Sequence, residues 1–117
     1  MPTIRDLVAA IRQREGVDAA VVLGRDGLLI DSQTVPNLAP EEVAAHVPAI
    51  IAAADECGAS AGRGTMMTAV LEYAQGLAIV SVLSPDAVLL VLLQPRANLG
   101  QLLFELRRNR EHIASLV

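Results

Sequence analysis

The stretch PEEVAAHVPAIIAAADEC, residues 40–57, decides how the rest of the chain is interpreted. Its pattern predicts a helix, because Pro40 suits the first helical position and Glu41 and Glu42 complement the positive end of the helix dipole. The segment Val47 to Ala54 carries no polar side chain. A surface helix of a small domain needs one apolar stripe and leaves its other side to water. We therefore expect this helix to be covered on two sides, and the second cover to come from another protein chain.

The two faces of this predicted helix differ in side-chain size. A stripe of larger apolar residues is expected to lie on the chain's own sheet, and it consists of Val43, Val47, Ile50, Ile51 and Ala54. Alanines fill much of the remaining surface, and a single methyl group allows a neighbouring helix to approach closely. Pro48 removes one backbone hydrogen bond and is expected to bend the helix, and the alternative is a break into two helices at this point. We expect the alanine-rich side to contact a second subunit.

The composition excludes several kinds of function. The chain has 117 residues, enough for one domain over residues 1–117, and its core must be aliphatic because aromatic residues make up only 2%. It contains no lysine, which both the phosphate-binding loop of nucleotide hydrolases and Schiff-base catalysis need. The net charge is -4 and the aromatic residues are Tyr73 and Phe104. Without a basic stripe or a stacking platform, we expect no nucleic-acid partner.

The sequence also favours a cytoplasmic protein. The single Cys57 cannot form an internal disulfide, which suits a reducing compartment. The opening residues MPTIRDLV show no positive region followed by a long apolar run, so we expect no signal peptide. The most apolar region, residues 69–93, is interrupted by polar and turn residues, and this pattern predicts strands without membrane insertion.

Hydrophobic periodicity and turn residues predict seven further elements around the 40–57 helix. They are a helix over residues 3–15, strands over residues 17–24, 28–34, 65–74, 77–84 and 87–94, and a helix from 99 to about 115. Thr3 is expected to cap the first helix, with Asp6 three residues later. The glycine-rich segment 58–64 runs from helix to strand, the opposite order from a phosphate-binding loop, and is predicted to be a connector.

The element order α-β-β-α-β-β-β-α predicts an α+β fold with a five-stranded antiparallel sheet. Strand 87–94 is apolar throughout and is expected in the middle, whereas strands 28–34 and 65–74 carry polar residues and are expected at the edges. The first and last helices have matching apolar stripes and should share one face, with the 40–57 helix alone on the other. One helix cannot cover five strands, which is a second reason to expect a partner on that side.

The sequence contains no recognisable catalytic or metal-binding arrangement. The two histidines, His46 and His112, lie on different predicted helices without a second ligand at metal spacing, and no G-x-S-x-G turn occurs. Arg63 could act as an arginine finger on a partner's nucleotide, but fingers are a minority use of loop arginines. The residues expected on a solvated outer face of the final helix, with an anion site as the alternative, are Arg107, Arg108 and Arg110. We predict a non-enzymatic protein without a cofactor.

The chain resembles the Roadblock/dynein light chain domain family over essentially its whole length. The resemblance lies in the element order, in the hairpin VVLGRDGLLIDSQ of residues 21–33, and in the alanine-rich helix followed by a glycine-rich connector. The most specific piece is NLGQLLFELRR, residues 98–108. The resemblance implies the Roadblock (profilin-like) fold, with one helix on one face of a five-stranded antiparallel sheet and two on the other.

This resemblance implies a homodimer in which the middle helix and the third strand pair with their counterparts and extend the sheet. The residues expected at this interface are Ala45, Pro48, Ala49, Ala52, Ala53, Glu56, Met66, Thr68 and Val70. Prokaryotic members similar to the mutual-gliding protein B bind a small Ras-like GTPase and promote GTP hydrolysis by repositioning the GTPase's own catalytic groups. The residues expected to contact such a GTPase are Glu41, Glu42, His46 and Arg63.

Three functions stay open at this point. The first is a homodimeric regulator or scaffold that binds a small Ras-like GTPase and either stimulates hydrolysis or only binds. The second is a small-ligand sensor, since a helix on an antiparallel sheet can hold a pocket, although the chain offers few polar groups to orient a ligand. The third is a purely structural dimerisation module.

Overall fold

The computed structural model describes residues 2–117 as a five-stranded antiparallel sheet with helices on both faces. The helices are α1 (Ile4–Arg12), α2 (Pro40–Ser60), α3 (Leu99–Arg108) and α4 (Arg110–Ala114). The strands are β1 (Val17–Gly24), β2 (Leu29–Thr34), β3 (Thr68–Tyr73), β4 (Gly76–Ser84) and β5 (Ala87–Leu93). The strand order β2-β1-β5-β4-β3 places β5 in the centre and β2 and β3 at the edges, so the predicted α+β sheet is confirmed.

Helix α1 begins with the capping arrangement that its sequence predicts. The Thr3 hydroxyl accepts a hydrogen bond from the backbone N–H of Asp6 at 3.2 Å, and the Asp6 carboxylate accepts one from the Thr3 N–H at 2.9 Å. These bonds satisfy donors that an uncapped helix leaves unpaired. The chain then turns into β1 through Gly16, whose φ of 84° is a conformation that glycine adopts without strain.

The apolar side chains form two separate clusters, one on each face of the sheet. On one face the buried helical side chains come from α1, α3 and α4, and they are Val8, Ile11, Leu102, Leu106 and Ile113. On the other face they all come from α2, and they are Ala44, Val47 and Ile51. The first and last helices therefore share one face, and the middle helix lies alone on the other, as the sequence indicates.

Helix α2 is one continuous helix, and it extends three residues beyond the predicted end at Cys57. The connector folds back onto the last turn, where the Arg63 N–H donates to the Gly58 carbonyl at 2.7 Å. A side chain at position 58 would overlap the carbonyl oxygen of Gly64. Gly58 therefore permits a close approach of two backbones here, although glycine normally disfavours a helix interior.

The predicted single final helix is instead two helices, α3 and α4, which are separated at Asn109. Asn109 has φ -103° and ψ 13°, a bridge-region conformation outside the helical range. Its side-chain amide and its backbone N–H both donate to the Glu105 carbonyl, each at 3.0 Å. An asparagine side chain that bonds to the local backbone competes with helix propagation, which accounts for the break.

Arg110 does not lie on the solvated outer face that the sequence indicates. It is partly buried, and its guanidinium donates to the Val82 carbonyl at 3.0 Å and to the Thr68 hydroxyl at 2.8 Å. These contacts tie the start of α4 to strands β3 and β4. Arg107 and Arg108 are exposed, as predicted.

Within the part of the chain that the structure describes, no helix is both long enough and apolar enough to span a membrane.

Candidate interaction surface

The outer side of α2 exposes mainly alanine side chains. The exposed alanines are Ala45, Ala49, Ala52 and Ala53, followed by Glu56 near the end of the helix, and all five are predicted interface positions. The opposite side of the helix carries the buried Val47 and Ile51. An exposed stripe of methyl groups on a helix is unusual, because the solvent side of an amphipathic helix normally carries polar or charged residues.

An apolar groove of about 330 Å³ lies beside this surface, between α2 and the strands β3, β4 and β5. Its lining residues are Glu42, Val43, His46, Val47, Ile50, Leu71, Tyr73, Ala78, Val80, Leu90 and Leu92. Glu42, His46 and Tyr73 are its polar or partly polar members, and Tyr73 is 58% exposed. Of the sheet residues in this lining, Ala78, Val80 and Leu90 are buried, and Leu71, Tyr73 and Leu92 are the ones that the chain's own helix leaves at least partly exposed.

The groove lies over β3, β4 and β5 because α2 packs toward the opposite edge of the same face, against the β1–β2 hairpin. The Pro48 ring packs against the β1–β2 hairpin, with its Cγ 3.1 Å from the position that a Gly27 Cβ would occupy. Further along α2, the Asp55 carboxylate lies 3.8 Å from the Arg25 guanidinium of the same hairpin. Both contacts hold α2 toward β1 and β2. Pro48, a predicted interface residue, thus contacts its own chain and is only partly exposed.

Strand β3 is an edge strand, and its side chains alternate between the two faces. The apolar cluster beneath α2 includes Ala69 and Leu71, so these side chains lie on the α2 face. Thr68 bonds to Arg110 of α4 and therefore lies on the opposite face, and Val70 follows it by the two-residue period of a strand. Thr68 and Val70, both predicted at the interface, can contribute to a contact on the α2 face only through their backbone.

The remaining predicted positions lie at the two ends of α2. Glu41, Glu42 and His46 are exposed near its start, and Glu42 and His46 also line the groove. Arg63 is exposed beyond the end of the helix, roughly 30 Å away along a helix of this length. Met66 is partly buried against the α2-side core, and its N–H donates to the Asp55 carboxylate at 2.7 Å.

Sequence reasoning missed the groove residues on β3 and β5, chiefly Leu71, Tyr73 and Leu92. The alternation of Thr68, Val70 and Glu72 with Ala69, Leu71 and Tyr73 could have separated the two faces of β3. The position of the groove, in contrast, follows from the contact between Pro48 and the hairpin, for which the sequence gives no local signal.

The chemistry of the surface suits packing. Among residues 2–117, no cluster of three or more His, Cys, Asp or Glu side chains could hold a metal ion. The groove offers aliphatic side chains and a phenol ring, and β3 offers its unpaired backbone edge. Such a surface can bind a complementary apolar face and a complementary strand.

Comparison with known proteins identifies the family. Residues 3–93 match the Roadblock/LC7 domain. The chain belongs to the Roadblock/LC7 family. An uncharacterized protein of Methanocaldococcus jannaschii is 30% identical to this Roadblock domain over 106 residues, which cover 91% of the chain and 92% of the relative.

Solved structures share the fold of this Roadblock domain at low sequence identity. A Roadblock/LC7 domain from Streptomyces avermitilis has a TM-score of 0.85 and 21% identity, and the match covers 97% of each chain. MglB of Myxococcus xanthus has a TM-score of 0.84 and 15% identity, with 98% of this chain and 97% of MglB covered. The Roadblock fold that the sequence implies is therefore confirmed.

Proposed function

We propose that this Roadblock domain is a homodimeric regulator or scaffold that binds a small Ras-like GTPase and donates no catalytic residue to it. The observation that carries the proposal is the uncovered apolar groove beside the exposed alanine surface of α2. Apolar side chains that stay partly exposed beside an apolar helix surface favour contact with another chain. The structural similarity to MglB agrees with a regulatory or scaffolding role.

The proposed dimer joins the α2 helices and the β3 edges of two copies. The partner's helix would cover the groove residues that α2 leaves partly exposed, such as Ile50, Leu71 and Leu92. Complete burial of a side chain of this size contributes roughly 1.5–3 kcal/mol relative to full exposure. Pairing between the β3 edges would satisfy backbone groups that an edge strand leaves open and would extend the sheet through both copies.

The proposed GTPase contact uses the polar residues at the ends of α2. These are Glu41, Glu42, His46 and Arg63, all of them exposed. The proposal rests on the resemblance to the prokaryotic Roadblock regulators described above. Because Arg63 lies at the far end of α2 from Glu41, only a partner that spans the helix would contact both.

The dimer is tested with Ala52→Glu, examined by light scattering and sedimentation at micromolar concentrations. A glutamate at the centre of the alanine surface would be buried without a partner, and we expect the dimer to dissociate. The matched control is Ala10→Glu, which introduces the same side chain at an exposed alanine of α1 on the opposite face. A wild-type protein that is monomeric at these concentrations would contradict the proposal, as would equal dissociation in both variants.

The GTPase step is tested with a Ras-like GTPase encoded in the same genome. We expect binding to the wild-type protein, and weaker binding to Glu42→Arg than to the control Glu15→Arg, which changes an exposed residue outside α2. Faster GTP hydrolysis on addition of the protein indicates a regulator that activates the GTPase, whereas binding without acceleration indicates a scaffold. Absence of binding would overturn this part of the proposal and leave a dimerisation module.

A small-ligand sensor is the second candidate, and the volume of the groove favours it. About 330 Å³ lies within the range of small-molecule sites, roughly 300–1,000 Å³. Against it, the lining offers only Glu42, His46 and the Tyr73 hydroxyl as polar groups that could orient a ligand. A thermal-shift screen with nucleotides and metabolites separates the two candidates, because a sensor would be stabilised by a ligand that does not change its association state.

A further inference from the structure

The outer side of α3 carries a second candidate contact surface, on the face of the sheet opposite the groove. Phe104 is 61% exposed, and Arg107 and Arg108 beside it are also exposed. The Arg108 guanidinium lies 5.5 Å from the centre of the Phe104 ring, within the range of a cation–π contact. We name Phe104, Arg107 and Arg108 the α3 patch.

Among residues 2–117, no ion pair or hydrogen bond to another element accounts for the α3 patch. The ion pairs formed among residues 2–117 are Arg14–Glu105 and Arg25–Asp55, so Arg107 and Arg108 have no carboxylate partner there. The core on this face is closed by aliphatic side chains without the Phe104 ring. Phenylalanine and arginine are both enriched at protein interfaces relative to the rest of the surface, and arginine is also enriched among the residues that dominate binding.

The chain carries a surface of complementary charge at the start of α2. This helix contains four carboxylates, Glu41, Glu42, Asp55 and Glu56, and no arginine. Of these, Glu41 and Glu42 are adjacent, exposed and unpaired within residues 2–117. We name Glu41 and Glu42 the acidic end of α2. The partly buried Val43 next to it provides apolar surface for an aromatic ring.

The two surfaces match in helix polarity as well as in charge. Arg107 and Arg108 occupy the last turn of α3, where the helix dipole is negative, and Glu41 and Glu42 occupy the first turn of α2, where it is positive. Contact between the two helix ends brings opposite charges and opposite dipole ends together. The helices lie on opposite faces of the sheet, so one chain cannot make this contact with itself.

We propose that copies of this chain associate head-to-tail, with the α3 patch of one copy docked on the acidic end of α2 of the next. Two α3 patches facing each other would place arginines against arginines, so a symmetric contact through this surface is disfavoured. A contact between two different surfaces is heterologous and produces a ring or a growing chain of copies. The α3 patch lies outside the surfaces proposed for the dimer and the GTPase, whereas the acidic end of α2 is shared with the proposed GTPase contact. Variants of the α3 patch therefore test this inference separately from the proposed function.

The test is sedimentation velocity of the full chain from micromolar to millimolar concentration. At low salt we expect the weight-average mass to rise with concentration beyond any closed dimer. We expect the association constant to fall at least tenfold between about 0.02 M and about 0.5 M salt, because exposed charges are screened within a few ångströms at high salt. Phe104→Ser should weaken the association several-fold, and circular dichroism checks that it folds.

Charge reversal makes the test specific to the two surfaces. Two double variants reverse the charge of one surface each: Arg107→Glu with Arg108→Glu, and Glu41→Arg with Glu42→Arg. In each of them the weight-average mass should no longer rise with concentration. When the two variants are mixed in equal amounts, the rise in mass should return, because the acidic α3 patch of one variant then meets the basic end of α2 of the other. The control, Arg63→Glu with Arg96→Glu, changes the net charge equally at exposed positions outside the α3 patch and should grow like the wild-type protein.

Two results would overturn the proposal. One is a wild-type mass that does not change with concentration at low salt. The other is growth that the reversed variants retain or that their mixture does not restore. Dissociation of the proposed dimer by Ala52→Glu is a separate result, since that residue lies outside both the α3 patch and the acidic end of α2.

Discussion

The two faces of the sheet are built from the same aliphatic residue types but are closed to different extents. On one face, α1, α3 and α4 bring five buried side chains onto the sheet. On the other face α2 brings three, and side chains of β3, β4 and β5 such as Leu71, Val82 and Leu92 stay only partly buried. We call these the closed face and the half-covered face.

The helices also differ in what they present to solvent. The exposed side of α1 carries Arg5 and Asp6, as is usual for an amphipathic surface helix. The exposed side of α2 carries alanines, including Ala49 and Ala52. Partly exposed apolar residues of the sheet therefore lie next to the exposed alanines of α2, and together they form one larger apolar surface. This coincidence supports the proposed interaction site, whereas an isolated exposed hydrophobic residue would need no explanation.

The largest expected effect on the free energy of unfolding comes from substitutions at two neighbouring residues of β5, one on each face of the sheet. Leu89 is buried on the closed face and Leu90 on the half-covered face, where it lines the groove. Leu89→Ala and Leu90→Ala should each lower the free energy of unfolding by about 2–5 kcal/mol, measured by chemical denaturation. Only Leu90→Ala should also weaken self-association in sedimentation experiments. If Leu89→Ala weakens association equally, the two faces do not differ as described.

An intermediate effect is expected at Arg110, through which the closed face holds the edge strand β3. Arg110→Met leaves the Val82 carbonyl and the Thr68 hydroxyl without their donors and should cost about 1–3 kcal/mol in unfolding free energy. Faster amide hydrogen exchange in β3 than in β1 would accompany it. The control Arg107→Met removes an exposed arginine that makes no hydrogen bond to the sheet, and unfolding free energy should change by less than about 0.5 kcal/mol. Equal losses in the two variants would contradict the anchoring role.

The smallest effect is expected at the start of α1, on the closed face. Thr3→Ala removes the hydroxyl that caps the Asp6 N–H and should lower the free energy of unfolding by about 0.5–2 kcal/mol. The association state should not change, because α1 and α2 lie on opposite faces of the sheet. Thr65→Ala, at an exposed loop position, is the control. A change in association by Thr3→Ala would mean that the closed face also takes part in the dimer.

Much of the fold could be predicted from local sequence signals. The Thr3 and Asp6 cap, the continuous apolar run of β5 and the polar residues of the edge strands each specify a local structure through short-range physics. The break at Asn109 and the extension of α2 to Ser60 could not be predicted in the same way. Both depend on particular backbone contacts, at the Glu105 carbonyl and between Gly58 and Gly64, that exist only in the folded chain.

The sequence predicts the exposed alanine surface of α2, but it does not predict the groove beside it. The alanines of α2 indicated an exposed contact face, and the structure places Ala45, Ala49, Ala52 and Ala53 on it. The groove was not predictable, because its position depends on the side of the sheet to which Pro48 attaches α2. Whether these residues contact a second copy stays a prediction.

The placement of Tyr73 gives the molecule a spectroscopic property. The chain has no tryptophan and a single tyrosine, so its near-ultraviolet fluorescence originates almost entirely from this one side chain at the groove. Unfolding the aliphatic core would change this emission little, because the phenol is already largely exposed to solvent. Closing the groove would bury the phenol and alter its quenching by solvent and neighbouring groups, which should change the emission intensity. The unlabelled protein therefore carries a single intrinsic fluorophore at the groove, and its emission intensity can be used to follow occupation of that surface.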